Sequence, residues 1–205
     1  MIGEAYIPIA FRAAAAADPA AKLFYNDYNL AYLGPKVQGA ARIVRLCQQY
    51  GVRIDGVGYQ GHLTTESTPT QSTPTPSEED LTAALKVTAD LGVDVAWTEI
   101  DIRMRTPSNS QKLQQLADAY GRVARACLNV PSCVGMTIWV CAPDNFANRG
   151  LSLTLISQGV TDRYSWVPNT FSGEGDALLW NSNYQKKAAY TSFLEGISSG
   201  GSSKA

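Results

Sequence analysis

Val93-Asp94-Val95-Ala96-Trp97-Thr98-Glu99-Ile100-Asp101-Ile102 is a strand-like apolar run with an acidic residue near its tip. A carboxylate at the end of a buried strand is costly unless it is paired or used. The two-residue period of a strand puts Glu99 and Asp101 on one side. Asp101 reads as a supporting group, because its charge lies close to Glu99. Acid–base chemistry commonly rests on two carboxylates in contrasting environments, and the chain offers one clear strand-tip candidate.

Outward from that run, apolar stretches alternate with helical spacing. Tyr6 to Ala16 is helix-prone and stops at Asp18-Pro19. Leu23-Phe24-Tyr25 reads as a strand entering the polar Asn26-Asp27-Tyr28-Asn29. Val37 to Tyr50 is helical and ends at Gly51. Ile54 to Tyr59 is a second strand, followed by Gln60-Gly61-His62-Leu63. Thr64 to Pro76, rich in Thr, Ser and Pro, is expected to be a flexible surface loop rather than an O-glycosylated linker. Ser77-Glu78-Glu79-Asp80 opens a helix that runs to Leu91. Helix over Gln111 to Cys127, strand over Cys133 to Trp139 and a last helix over Asn183 to Leu194 complete the pattern. Residues 197–205 are expected to be a disordered Gly/Ser tail.

Strand–helix units in sequence give an α/β fold with parallel strands and right-handed crossovers. Polar and aromatic residues gather at the C-terminal ends of the strands, the active face of a (β/α)8 TIM barrel. Four units are legible in 205 residues, against eight in about 250 residues for a whole barrel. The expected fold is therefore a partial barrel of about four βα units with incomplete closure.

The net charge of -1 gives no electrostatic reason to expect nucleic acid or an anionic membrane as partner, and no apolar run approaches the ~20 residues of a membrane span. The N-terminus carries neither the basic stretch nor the apolar core of a secretory leader, which at face value reads as intracellular. The cysteines are Cys47, Cys127, Cys133 and Cys141, with His62 the only histidine and no C-x-x-C pair. That set argues against a structural zinc site, and neither metal nor cofactor is expected. Cys127 and Cys133 bracket a short segment and read either as a local disulfide or as two buried thiols. Alone, His62 reads as a satisfied structural histidine. Placed with Gln60 one βα unit before a strand-tip glutamate, it reads as a group that orients that carboxylate.

Taken together, these residues resemble the C-terminal half of the glycoside hydrolase family 10 xylanases, of fungal type. The resemblance rests on Phe24 to Asn29, Ile54 to Gly58 with Gln60-Gly61-His62, Trp97 to Asp101, Cys127 to Gly135 and Asp162 to Trp166. It implies strands five to eight of the barrel and a retaining double-displacement mechanism on the β-1,4-xylan backbone. It makes Glu99 the nucleophile, His62 and Gln60 its positioning and sugar-touching partners, Trp139 and Trp166 aromatic walls, and Tyr28 a platform on the leaving-group side. Trp97 and Trp180 are read as core packing. The resemblance also implies a Cys127–Cys133 disulfide, xylan or xylo-oligosaccharides as partners, and secretion.

Two departures stand out. The Asn-Glu acid/base motif of the family's strand four is absent, and Glu4, on the following helix, is a poor substitute. The chain is thus expected to keep the nucleophile and lack the proton donor, with impaired turnover or a noncatalytic xylan-binding role through Tyr28, Trp139 and Trp166. Second, residues 140–158 separate Trp139 from Gly159-Val160-Thr161-Asp162, which the family joins almost directly. Val140-Cys141 and Gln158 can be encoded by common intron boundaries, so the segment reads as a translated intron within a catalytic domain of residues 1–196; the competing reading is a loop insertion on the active face. Open sheet edges make non-native self-association an expectation. The Gly-x-Ser-x-Gly pattern at Gly196 to Gly200 sits in the tail rather than at a strand–helix elbow, which speaks against serine hydrolase chemistry.

Overall fold

In a computed structural model describing residues 3–139 and 161–199, four parallel strands run in the order β1-β2-β3-β4. They are β1 (Phe24–Tyr28), β2 (Gly56–Thr64), β3 (Asp94–Arg105) and β4 (Cys133–Ile138). The helices are α1 (Tyr6–Ala17), α2 (Pro35–Gln49), α3 (Glu78–Ala89), α4 (Ser110–Leu128), the short α5 (Val167–Thr170) and α6 (Ala188–Ser199). A two-residue strand, β5 (Glu174–Gly175), pairs antiparallel with the far end of β3. The sheet is open, with β1 and β4 at its edges.

Local chemistry sets the boundaries. Ser77 caps α3 by accepting from the Asp80 N–H at 3.1 Å, with Glu78, Glu79 and Asp80 at the positive end of the helix dipole. Asn109 caps α4 in the same way through Lys112 N–H. Cys127 and Cys133 are joined by a disulfide that closes the α4–β4 turn. Gly196 lets α6 settle on α4, since a Cβ there would stand 2.7 Å from the Ala124 methyl and 3.0 Å from Gly121 O. The serine of the Gly-x-Ser-x-Gly pattern is a helical residue, its Oγ donating to Leu194 O.

The two faces of the sheet differ in chemistry. One carries Val57, Tyr59, Val95, Trp97, Ile100 and Ile102, buried against Val44, Leu81, Leu85, Leu116, Tyr120 and Val123 of α2, α3 and α4. Here Tyr59 packs edge-on against Trp97 and donates to Ala84 O. The other face carries Asn26, Gln60, His62, Thr98, Glu99 and Asp101, and it positions the site.

Several expectations need correction. β2 begins later than Ile54 and runs on through Gln60 and His62 to Thr64. The Thr64–Pro76 segment is pinned rather than a free surface loop: Thr68 and Thr75 are buried, Thr75 N and Oγ1 both donate to Thr64 O, and Thr68 N donates to Gln71 O. The last helix starts at Ala188, because Asn181 Oδ1 first captures the N–H groups of Asn183 and Gln185 in a turn. Residues 197–199, assigned to the tail, form the last turn of α6. Trp97 is fully buried as expected, whereas Trp180 is half-buried against Tyr190. The 140–158 segment, with Cys141, and the tail beyond residue 199 lie outside the described residues.

Candidate active site

Glu99 lies at a β-bulge within a twelve-residue strand rather than at a strand tip. β3 spends Thr98 and Glu99 where β4 spends only Thr137, since Trp97 pairs with Met136 and Ile100 with Ile138. On the other side Gln60 pairs with Thr98 and His62 with Asp101, leaving Gly61 opposite Glu99 and Ile100. A Cβ on Gly61 would meet the Ile100 backbone at 3.1 Å, so the bulge needs that glycine. Glu99 takes φ of 58°, the left-handed region that costs a non-glycine residue about 1–3 kcal/mol. Plain alternation would have sent Glu99 to the Trp97 side. The extra residue turns it to the polar face, where Asp101 rejoins it.

Three strands hold Glu99, two of them at its carboxylate. Asn26 Nδ2 on β1 donates to Glu99 Oε1 at 2.8 Å, and His62 Nε2 on β2 lies 3.3 Å from Oε2. The Glu99 N–H faces Thr137 Oγ1 of β4 at 3.4 Å. Thr98 Oγ1 donates to Asn26 Oδ1 at 2.7 Å, which fixes the amide so that its NH2 faces the carboxylate. Gly58 makes room for this amide, as a Cβ there would stand 2.5 Å from Asn26 Oδ1.

Asp101, fully buried, reaches Glu99 through His62. Its Oδ2 accepts from His62 Nδ1 at 2.9 Å and from Trp166 Nε1 at 2.7 Å, while its Oδ1 has no partner among the described residues. Burial pulls the His62 pKa down, but the hydrogen bond and charge of Asp101 and the charge of Glu99 outweigh it, leaving the imidazole above its ordinary 6.5. The protonated ring can donate to both carboxylates at once. The Trp166 and Trp139 rings stand edge-on to His62, with centroids 5.2 and 6.2 Å away.

Behind Trp166 lies a buried ion pair. Arg103 Nε donates to Glu174 Oε2 at 2.7 Å, Thr70 Oγ1 donates to Glu174 Oε1 at 2.8 Å, and the guanidinium lies 4.2 Å from the Phe171 ring centroid. Phe171 in turn packs edge-on against Trp166. Asp162 ties the same segment to the start of α6, accepting from Leu178 N and from Lys187 Nζ. Burial pushes the Asp162 carboxyl up and the Lys187 amine down.

Of the residues singled out in the sequence, Glu99, His62, Asp101, Trp139 and Trp166 come together. Gln60 shares their face, in register with Tyr28 and Thr98, and takes no side-chain hydrogen bond among the described residues. Tyr28 stands apart at the end of β1, 54% exposed, with Lys36 Nζ 4.1 Å over its ring. Glu4 forms an exposed ion pair with Arg42. Sequence reasoning missed Asn26, whose signal is a polar residue two before Tyr28 and hence on the same side of the strand. Among the described residues the side-chain partners of Glu99 are Asn26 and His62, and none is a second carboxylate. No group of three or more His, Cys, Asp or Glu among them is arranged to hold a metal ion, and no helix among them is long and apolar enough to cross a membrane. A carboxylate held at both oxygens and walled by tryptophans is suited to attack an electrophilic carbon between two aromatic surfaces.

The sequence profile of glycosyl hydrolase family 10 matches residues 1–196. The chain belongs to glycosyl hydrolase family 10. Its relatives include endo-1,4-beta-xylanase B of Humicola insolens, 76% identical over 196 residues that make up 96% of this chain and 49% of that protein. Endo-1,4-beta-xylanase A of Fusarium oxysporum f. sp. lycopersici is 57% identical, over 96% of this chain and 54% of its own length. Among solved structures, the family 10 xylanase of Bispora sp. MEY-1 with xylobiose superposes with a TM-score of 0.78 at 32% identity, covering 96% of this chain and 54% of that one. Penicillium canescens endo-1,4-beta-xylanase XylE gives 0.80 at 30% identity, over 97% and 54%. The chain thus spans about half the length of the relatives it matches, in keeping with an open, partial barrel of the family 10 type.

Proposed function

We propose that these residues form the nucleophile-bearing half of a retaining endo-1,4-β-xylanase, with xylan or xylo-oligosaccharides as substrate. The observation that carries this reading is the bulge at Glu99, which turns one carboxylate onto the polar face between Asn26 and His62. In the proposed step a Glu99 oxygen bonds to the anomeric carbon as the bond to the leaving oxygen breaks, giving a covalent glycosyl-enzyme that water then hydrolyses. His62 and Asp101 position the nucleophile, Trp139 and Trp166 wall the scissile region, and Gln60 and Tyr28 touch sugar. The mechanism also needs a proton donor about 5–5.5 Å from the nucleophile, and no carboxylate among the described residues fills that role. Its loss costs about 10²–10⁴ in rate, so a site with only the described residues around Glu99 turns over xylan poorly.

A leaving group that departs as a stable anion needs no proton, which supplies the test. Full-length chain incubated with a 2,4-dinitrophenyl 2-deoxy-2-fluoro-β-xylobioside should gain one glycosyl mass on Glu99 and release dinitrophenolate. The adduct should be missing in Glu99→Gln. An adduct that persists in that variant, or that maps elsewhere, overturns the assignment. The lack of a second carboxylate against Glu99 among the described residues also favours the alternative reading, a noncatalytic xylan-binding remnant. In that case xylo-oligosaccharides bind without turnover and Glu99→Gln leaves binding unchanged. Secretion follows from the same reading, and the Cys127–Cys133 disulfide suits an oxidising compartment. Transcript reads that all retain residues 140–158 would defeat the translated-intron reading in favour of an inserted loop.

A further inference from the structure

Tyr184 is strained and yet exposed. It takes φ of 60°, left-handed backbone that makes a bulky residue an outlier. A turn holds it there: Asn183 N and Gln185 N both donate to Asn181 Oδ1, Tyr184 N donates to Asn181 O, and Asn181 N donates to Gln185 O. Glycine would take the same φ freely. Burial does not account for the tyrosine, which stays 51% exposed. Strain that packing does not offset points to a role at the surface.

The surroundings indicate the ligand. The Tyr184 hydroxyl meets that of Tyr164 at 3.1 Å, and the Arg163 guanidinium lies 6.0 Å from the Tyr164 ring centroid. The bond to Tyr164 raises the Tyr184 pKa against the pull of the Arg163 charge, so the guanidinium is within electrostatic reach of this phenol too. Two residues beyond Tyr184, Lys186 sits 4.1 Å over the Tyr190 ring. Arg163 and Lys186 are exposed, and neither forms an ion pair among the described residues. The neighbouring acids are answered by Lys187, which pairs with Asp162 at 2.7 Å and also feels the charge of Asp176. The Ser182 and Asn183 side chains and the Gln185 NH2 take no hydrogen bond among the described residues. Tyrosine rings flanked by amides and a hydroxyl suit a pyranose, whose C–H groups pack while its hydroxyls bond. Two unanswered cations suit a pyranose that carries a carboxylate.

We propose that Arg163, Tyr164 and Tyr184 form a second glycan site, apart from Glu99, that takes a uronic acid branch of an acidic xylan. The inference rests on the xylan reading of the chain. Tyr164 stands two residues before Trp166, at most about 7 Å along the chain, so a side branch rather than the backbone held at Glu99 would meet it. Isothermal titration of the full chain tests this by comparing xylotetraose with the same tetraose carrying one glucuronic acid branch. The branched sugar should bind about fivefold more tightly at low salt, the most that an exposed charge pair supplies. The gain should shrink as added salt screens it. Arg163→Gln and Tyr184→Gly should each abolish the gain and leave xylotetraose affinity unchanged. Tyr184→Gly should not lower the melting temperature, because glycine removes the strain. Equal affinity for the two sugars, or a gain that survives both variants, overturns the site while leaving the xylan reading intact. Galacturonate oligomers bound as tightly as the branched sugar would overturn the assignment to xylan branches. Binding of neither xylo-oligosaccharide overturns both the site and the xylan reading.

Discussion

The Arg103–Glu174 pair makes a quantitative claim about how the aromatic wall is held. Both side chains are almost fully buried, 4% and 1% exposed, and together they join β3, β5, Thr70 and the Phe171 ring that backs Trp166. Removing one partner strands a buried charge, which costs about 3–5 kcal/mol. Replacing both by apolar groups removes the desolvation cost along with the attraction and is often close to neutral. Arg103→Met and Glu174→Leu should therefore each destabilise by about 3–5 kcal/mol, and the double variant by far less than their sum. At about 2–4 °C per kcal/mol for a chain of this size, each single change lowers the melting temperature by about 6–20 °C. Thr70 loses its charged partners in the double variant but keeps Thr68 Oγ1 within 3.2 Å, so no orphaned hydroxyl should mask the effect. Urea denaturation of the full chain and its three variants gives the coupling directly. Single effects below 1 kcal/mol, or additivity within about 0.5 kcal/mol, would refute the claim that the pair is a desolvated clamp.

Four further perturbations test other parts of the molecule. His62 is the only histidine, so its ring proton signals titrate unambiguously; the midpoint should lie above 6.5 and fall in Asp101→Asn, and a midpoint below 6.5 would contradict the network. Because the folded value is raised, the stability contributed by His62 is full below pH 6.5 and is lost as pH rises through the folded midpoint, a slope that His62→Gln should abolish in pH-dependent melts. Gly58→Ala drives a methyl into Asn26 and should cost about 1–3 kcal/mol while slowing formation of the glycosyl adduct; an unchanged trapping rate would show that Asn26 does not position Glu99. Opening the Cys127–Cys133 loop, of sequence separation 6, by replacing both cysteines with serine should cost about 2 kcal/mol, measurable in urea. The open edges should make the chain self-associate with rising concentration, and Val134→Lys on β4, at a position 57% exposed, should weaken that association in sedimentation runs; a monodisperse monomer at all concentrations would count against it.

The parallel strand–helix alternation was legible because its signals are local: a helix start at Ser77, a stop at Gly51, apolar runs between them. The pairing of Glu99 with Asp101 was also legible, but for an incomplete reason. Strict alternation does put two residues separated by one on a common face. It could not reveal the bulge that makes this face the polar one, because a bulge is a relation among three strands. Asn26 escaped notice for the same reason. Its role depends on Gly58 being small on the neighbouring strand and on Thr98 fixing its amide. The firm hold on the Thr64–Pro76 segment was equally hidden, since part of it comes from Glu174, more than a hundred residues away in sequence. Composition reports what a loop can do alone, not what reaches it from elsewhere.

Among the described residues, the groups that bond Glu99 directly lie on the four strands, while Trp166, outside them, bonds Asp101. Asn26 belongs to β1, His62 to β2, Asp101 to β3 itself and Thr137 to β4. The buried face that supports them is likewise closed by α2, α3 and α4. On the proposed reading, the geometry of attack is built within half a barrel, while none of the carboxylates bonded around Glu99 among the described residues can protonate the leaving group. Chemistry that separates the two requirements, through a leaving group needing no acid, should find the first intact where natural xylan finds the second missing. A chain that cleaved unactivated xylan and the activated glycoside equally well would show that a proton donor is already at hand, and the division of labour between the two halves of the barrel would have to be redrawn.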